Sequence, residues 1–168
     1  MRKIWFFFLL LFLNSSCEPD DVCSEANPST PQLVFRLYDS SQPNEFKAVD
    51  TLRIMNLADQ TPLEFINTDS IVFPLQVNAS KINADLTISD GVTDRIEIDY
   101  QTKDVYLSRA CGFQSTFQIH TIEVDQPANW INSIEIVTNK VIIDTLAHVK
   151  IYHKRFTPLY GLYWLWPG

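Results

Sequence analysis

Residues 86–107 read LTISDGVTDRIEIDYQTKDVYL, and the spacing of the apolar residues in this stretch decides the fold class. Leu86 and Ile88 stand at alternate positions before Asp90 and Gly91, and Ile96, Ile98 and Tyr100 stand at alternate positions after them. A period of two puts successive side chains on opposite faces of a strand, so each run has one apolar and one polar face. An Asp-Gly pair between two such runs is a hairpin signal, because glycine adopts the positive φ that tight turns require. Glu97 and Asp99 fall on the face opposite Ile96 and Ile98, as in a half-solvated strand. Gln101 to Asp104 read as the next turn, with Val105 and Leu107 continuing the meander.

The same period recurs on both sides of this stretch. Upstream, Leu33, Phe35 and Leu37 share a face, as do Leu52 and Ile54, and then Ile71, Phe73, Leu75 and Val77. Pro74 lies within the last run and has no N–H for a ladder, which predicts an edge strand or a bulge. Downstream, strands are expected around Phe117 and Ile119, around Ile134 and Ile136, from Val141 to Ile143, and around Val149 and Ile151. The alternation slips by one residue between Ile119 and Ile122, which predicts a bulge. No stretch carries a convincing amphipathic-helix period. About eight or nine short strands separated by turn signals predict an all-β chain, an immunoglobulin-like or fibronectin-like β-sandwich, with a small closed barrel as the alternative.

The ends of the chain read differently. Arg2 and Lys3 precede ten unbroken apolar residues from Ile4 to Leu13, followed by Asn14, Ser15 and Ser16. That is the three-part order of a secretory signal, and its apolar run is shorter than the roughly 20 residues a helix needs to cross a bilayer. Cys17 directly after the small residues resembles the lipobox of bacterial lipoproteins, in which cleavage precedes a diacylglyceryl-modified, N-acylated cysteine. Leu13 stands four residues before Cys17 instead of the usual three. The expected organisation is a lipoprotein signal over 1–16, a flexible acidic linker over 17–31, a β-sandwich domain over 32–155 and an aromatic C-terminal tail over 156–168.

Charge narrows the partners. Loss of the leader removes two of the 13 basic residues and none of the 20 acidic ones, leaving a net charge of −9. A strongly acidic chain repels phosphates, which argues against nucleic acid and against docking onto anionic headgroups through clustered Lys and Arg. Membrane attachment is therefore expected through lipid on Cys17. Cys23 and Cys111 form an even pair, and export makes a disulfide between them chemically reasonable. A redox or metal role is the less favoured reading, since neither has a second cysteine at CxxC spacing.

Reaction chemistry finds little support. With four glycines in the whole chain, at 91, 112, 161 and 168, no glycine-rich phosphate cradle can form. His120, His148 and His153 lack the spacing of a zinc motif, and all three are read as exposed strand residues, with His148 and His153 on opposite faces. There is no GxSxG elbow for a serine nucleophile. No catalytic residue, metal or cofactor is expected. The distinctive internal stretch is Val105 to Phe113, VYLSRACGF. There a strand should end near Ser108, Gly112 permits a turn with positive φ, and Arg109 reads as either an ion-pair member or a recognition residue.

Taken together, Cys17 to Cys23, Pro31 to Asp39, Thr68 to Leu75 and Tyr106 to Phe113 resemble an uncharacterised lipoprotein family of flavobacteria and other Bacteroidota. The resemblance spans most of the mature chain. It implies an outer-membrane lipoprotein and a Cys23–Cys111 pair, and it supplies no activity. The acidic run Glu18, Pro19, Asp20, Asp21 resembles the signal that sends such lipoproteins to the cell surface. Asp50-Thr51-Leu52, Asp69-Ser70-Ile71 and Asp144-Thr145-Leu146 resemble the short O-glycosylation tripeptide of Bacteroidota.

The C-terminal tail is dense in aromatics, with Phe156, Tyr160, Tyr163, Trp164 and Trp166. Such a segment suits a protein interface or a membrane boundary, or else covers a sheet edge. The function expected is a lipid-anchored, non-enzymatic binding or accessory subunit of an outer-membrane complex, with Arg109 and the tail aromatics as contact candidates. The alternative is a surface carbohydrate-binding module that stacks sugars on Tyr106 or Trp130.

Overall fold

The computed structural model describes residues 29–154. Its strands are β1 (Leu33–Asp39), β2 (Gln42–Phe46), β3 (Val49–Asn56), β4 (Pro62–Thr68), β5 (Ser70–Phe73), β6 (Lys81–Ile88), β7 (Thr93–Ser108), β8 (Gly112–Val124), β9 (Ile131–Ile136), β10 (Lys140–Val141) and β11 (Val149–His153). Among the described residues there is no helix. Residues Val105–Gln114, at the β7–β8 hairpin tip, form with Ser29 a separate compact unit.

The strands assemble into two sheets. One has the order β2-β1-β11-β9, with β5 also paired to β1, and the other has the order β10-β8-β7-β6-β3-β4. The alternating residues of the two inner faces make one core. Leu33, Phe35, Leu37, Ile71, Phe73, Val149 and Ile151 come from the first sheet, and Leu52, Ile54, Ile82, Leu86, Ile96, Ile98 and Tyr100 from the second. The fold is therefore the all-β sandwich that the period of two predicts. The Asp90-Gly91 hairpin forms as expected, with Gly91 at φ 76° and its N–H donating to the Ile88 carbonyl at 2.9 Å.

A parallel pair joins the first and last described strands, with Phe35 opposite Val149 and Asp39 opposite His153. Parallel neighbours need a crossover connection. Here that connection is all of the chain between β1 and β11.

One buried carboxylate ties the two sheets. Asp94, on β7, accepts hydrogen bonds from the Asn129 amide (2.6 Å) and its side-chain Nδ2 (2.9 Å), and from the Trp130 and Ile131 amides (2.8 Å each). These N–H groups belong to the first residue of β9 and the two residues before it, on the other sheet. The Trp130 indole N–H donates to the Leu86 carbonyl at 3.1 Å, and the ring is 1% exposed.

Several expectations are corrected. Gln101 to Asp104 form no turn, because β7 runs unbroken from Thr93 to Ser108. Polar side chains there pair across to β8 instead: Lys103 Nζ donates to Gln118 Oε1 (3.0 Å), Ser115 Oγ to Asp104 Oδ1 (2.7 Å) and Thr116 Oγ1 to the Lys103 carbonyl (3.0 Å). Pro74 lies just outside β5, whose ladder ends at the Leu33–Phe73 pair, and Val77 is exposed and not on the buried face. The strand expected from Val141 to Ile143 stops at Val141, and Ile142 and Ile143 are exposed. Strands β2 and β4 have no counterpart in the sequence reading, since β2 is exposed along its whole length and β4 is an edge strand. Along β8 the burial phase does shift where the alternation slips, with His120 and Thr121 both exposed between Ile119 and Ile122.

Candidate functional site

The outer face of the five-stranded sheet carries a row of aromatic rings that the register lines up. Tyr38 on β1 stands opposite Phe46 on β2 and opposite Tyr152 on β11. The ring centroids lie 4.9 Å apart for Tyr38–Phe46 and 5.6 Å apart for Tyr38–Tyr152. Phe46 is 55% exposed, a large apolar side chain left in water on an edge strand.

Cations and acids flank the row. The Arg36 guanidinium sits 4.1 Å above the Phe46 ring and pairs with Asp69 at 3.2 Å. Lys150 Nζ lies 5.6 Å from the Tyr38 ring and 3.7 Å from Glu135. The Tyr152 hydroxyl donates to Glu135 Oε2 at 2.7 Å, and this bond, more than burial, pushes the phenol above its ordinary pKa. At the end of β1, Lys47 grips Asp39 at 2.9 Å, and that bond, with the Ser41 amide, lowers the Asp39 carboxyl to about 2. Tyr, Phe and Arg together on one sheet face make the composition favoured in protein interfaces. The sequence signal for the row was an aromatic on the polar side of an otherwise alternating strand, as at Tyr38 and Tyr152; Phe46, in QPNEF, gave none.

The second candidate surface is the β7–β8 hairpin tip. Arg109 and Ala110 lie in its turn, Cys111 precedes Gly112, and Gly112 has φ 71°. This is the left-handed position that a three-residue hairpin loop needs. The Cys111 amide donates to Ser108 Oγ at 3.0 Å, and Gln114 Nε2 donates to the Ser29 carbonyl at 2.9 Å. Tyr106 and Phe113 meet edge to face at 5.3 Å and are 55% and 70% exposed. Arg109 is exposed and engaged in an interaction.

A family model described as a family of unknown function (DUF6452) matches residues 51–153. The chain belongs to that family. No curated protein and no solved structure matches it. The DUF6452 span covers the hairpin tip and Tyr152 and begins after Tyr38 and Phe46, so the family region holds one whole candidate surface and one end of the other.

Two of the expectations for histidine fail. His148 is 1% and His153 is 4% exposed, whereas His120 is exposed. His148 Nδ1 accepts the Val34 N–H at 3.0 Å, and its own backbone amide donates to the Val34 carbonyl at 2.9 Å. Burial pushes this imidazole below its ordinary pKa, against the opposing pull of a bond to the Ile143 backbone and the charge of Asp144. His153 Nε2 donates to the Lys47 carbonyl at 3.0 Å, and the ring stands edge-on to Trp130 at 5.7 Å. Both rings act as cross-links between segments.

A hollow lined by Lys47, Asp50, Asp90, His153 and Lys154 collects titratable groups, but the Asp39 pair and the Lys47 carbonyl already engage Lys47 and His153. Among the described residues no three His, Cys, Asp or Glu side chains cluster as metal ligands. The buried Trp130 offers no face to a sugar, which removes one of the two rings named for a carbohydrate site. Of the three Asp-Ser/Thr tripeptides, Asp144-Thr145-Leu146 is exposed throughout, whereas Leu52 and Ile71 of the others are fully buried.

Cys111 is described in the hairpin turn, whereas Cys17, Cys23 and the tail candidates Phe156, Tyr160, Tyr163, Trp164 and Trp166 lie outside the described residues.

Proposed function

We propose that this protein is a lipid-anchored, non-enzymatic lipoprotein of the outer membrane that serves as a binding or accessory subunit of an envelope protein complex. The observation that carries the binding role is the Phe46–Tyr38–Tyr152 row with Arg36 beside it, a solvent-facing aromatic surface with the residue types of a protein contact. In the sequence the proposed tail begins at Phe156, four residues after Tyr152.

The anchor reading is supported by the leader, by Cys17 and by the resemblance to flavobacterial lipoproteins. Cys23 is the proposed partner of Cys111, because Cys17 is assigned to lipid and the chain has three cysteines. The acidic run after Cys17 favours the cell-surface side. A surface carbohydrate-binding module is the second reading, and it rests on the exposed rings of Tyr106 and Phe113.

The test is a mild-detergent pull-down of tagged full-length protein from its native membrane, with mass spectrometry of the partners and of the modified N-terminus. A Y38S/F46S/Y152S variant and a deletion of Phe156–Gly168 should each lose the co-purifying protein while keeping a cooperative unfolding transition. Retention of the same partner by both variants would refute the proposed surface. Binders on a glycan array would promote the second reading.

A further inference from the structure

We infer that the β7–β8 hairpin tip rests against the lipid surface itself, so that the protein meets its membrane at two points, the acylated Cys17 and the exposed apolar side chains of Val105–Gln114. The inference depends on the lipid-anchored reading and its Cys23–Cys111 bridge, and adds to them an orientation and a lipid contact.

Covalent reach supplies the first argument. Cys17 and Cys23 are six residues apart, and an extended chain spans at most about 3.3–3.6 Å per residue, so the acyl-bearing residue and the bridged Cys111 are separated by about 20 Å at most, plus the bridge itself. A tip tied to a lipidated residue by so short a segment stays within about that distance of the bilayer, near enough for its apolar side chains to reach it.

The chemistry of the tip supplies the second. Val105, Tyr106 and Phe113 are all large, apolar and roughly half or more exposed, at 46%, 55% and 70%. Tyr106 and Phe113 touch each other edge to face, so they present one combined apolar surface. Tyrosine is enriched at membrane interfaces because its ring is apolar and its hydroxyl reaches water. Charge supplies the third. The segment Val105–Gln114 contains one basic and no acidic residue, in a mature chain of net charge −9. It is therefore a part of the surface that lipid phosphates do not repel.

The experiment uses the full mature, acylated chain in vesicles of phosphatidylcholine and phosphatidylethanolamine, in wild-type form and as F113W. Intact mass first reports the acyl chains and the disulfide. Tryptophan emission is then compared in vesicles with and without lipids brominated near the top of the acyl chain. Phe113 is exposed, so F113W should fold as the wild type does, and the loss of emission should be greater for F113W than for the wild-type background. Quenching no greater than that background, in a protein whose mass shows both acyl chains and bridge, overturns the lipid contact and leaves the anchor standing. A mass without acyl chains overturns the anchor reading and the inference with it.

Discussion

Between Thr93 and Tyr100, β7 buries Asp94, Ile96, Ile98 and Tyr100 on one face, whereas between Gln101 and Ser108 the same strand buries none of its side chains. The first half owes its register to what lies beneath it. Ile96 and Ile98 fill the core, Asp94 gathers four N–H groups, and Tyr100 donates its hydroxyl to the Gln76 carbonyl at 2.7 Å. The second half is held by its neighbour in the sheet and by the turn that ends it. The contrast shows two ways for a strand to persist. One is core burial, which the sequence announces by alternation; the other is cross-strand pairing of polar groups, which it does not.

The sharpest way to break this comparison is at Asp94. An Asp94→Ala substitution leaves four N–H groups without their acceptor and should cost about 3–5 kcal/mol, read from the urea unfolding midpoint. Asp94→Asn keeps one acceptor oxygen and should fall between the two. A loss below about 1 kcal/mol for the alanine variant would mean that water replaces the carboxylate and that the sheets are tied elsewhere.

At the other end of the strand, Gly112→Ala should cost about 1–2 kcal/mol through backbone conformation alone. A Cβ there meets nothing within 4 Å, while φ is 71°. No measurable loss would show that the tip relaxes into another turn.

Acid should weaken the sandwich through His148. Its folded pKa lies below the ordinary value of 6.5, so the unfolded chain binds the proton more readily. The contribution is complete above 6.5 and is lost as pH falls through the lower, folded value. Unfolding midpoints of the wild type should therefore decline below pH 6.5 more steeply than those of a His148→Gln variant. Parallel curves would refute the assignment.

The smallest effect belongs to Tyr106→Ala. Its ring is exposed and contacts Phe113, so stability should change by about 0.5–1 kcal/mol or less by the same unfolding measurement. A larger loss would place the tip among the residues that hold the fold.

How far the molecule was legible follows the same division. Leu33, Phe35, Leu37, Leu52, Ile54, Ile96, Ile98, Val149 and Ile151 alternate in the sequence and are all buried. The Asp90-Gly91 and Gly112 turns were also readable, because a positive φ needs a residue without a Cβ penalty. Gln101 to Asp104 misled because a polar tetrapeptide looks like a turn until its partners on β8 are known. The aromatic row was legible only in part. Tyr38 and Tyr152 are 114 positions apart, and nothing local says that β1 and β11 lie side by side in parallel.

Alternation, turn chemistry, acidic charge and the lipobox-like leader are properties of neighbouring residues, so the sequence by itself determined the all-β class and the expectation of export. Only the tertiary structure decided which polar groups go inside and which aromatics line up outside. Asp94 is bonded to amides 35 to 37 residues away and His148 to one 114 residues away. Burying a carboxylate or an imidazole is tolerable only when such donors or acceptors arrive from elsewhere in the chain.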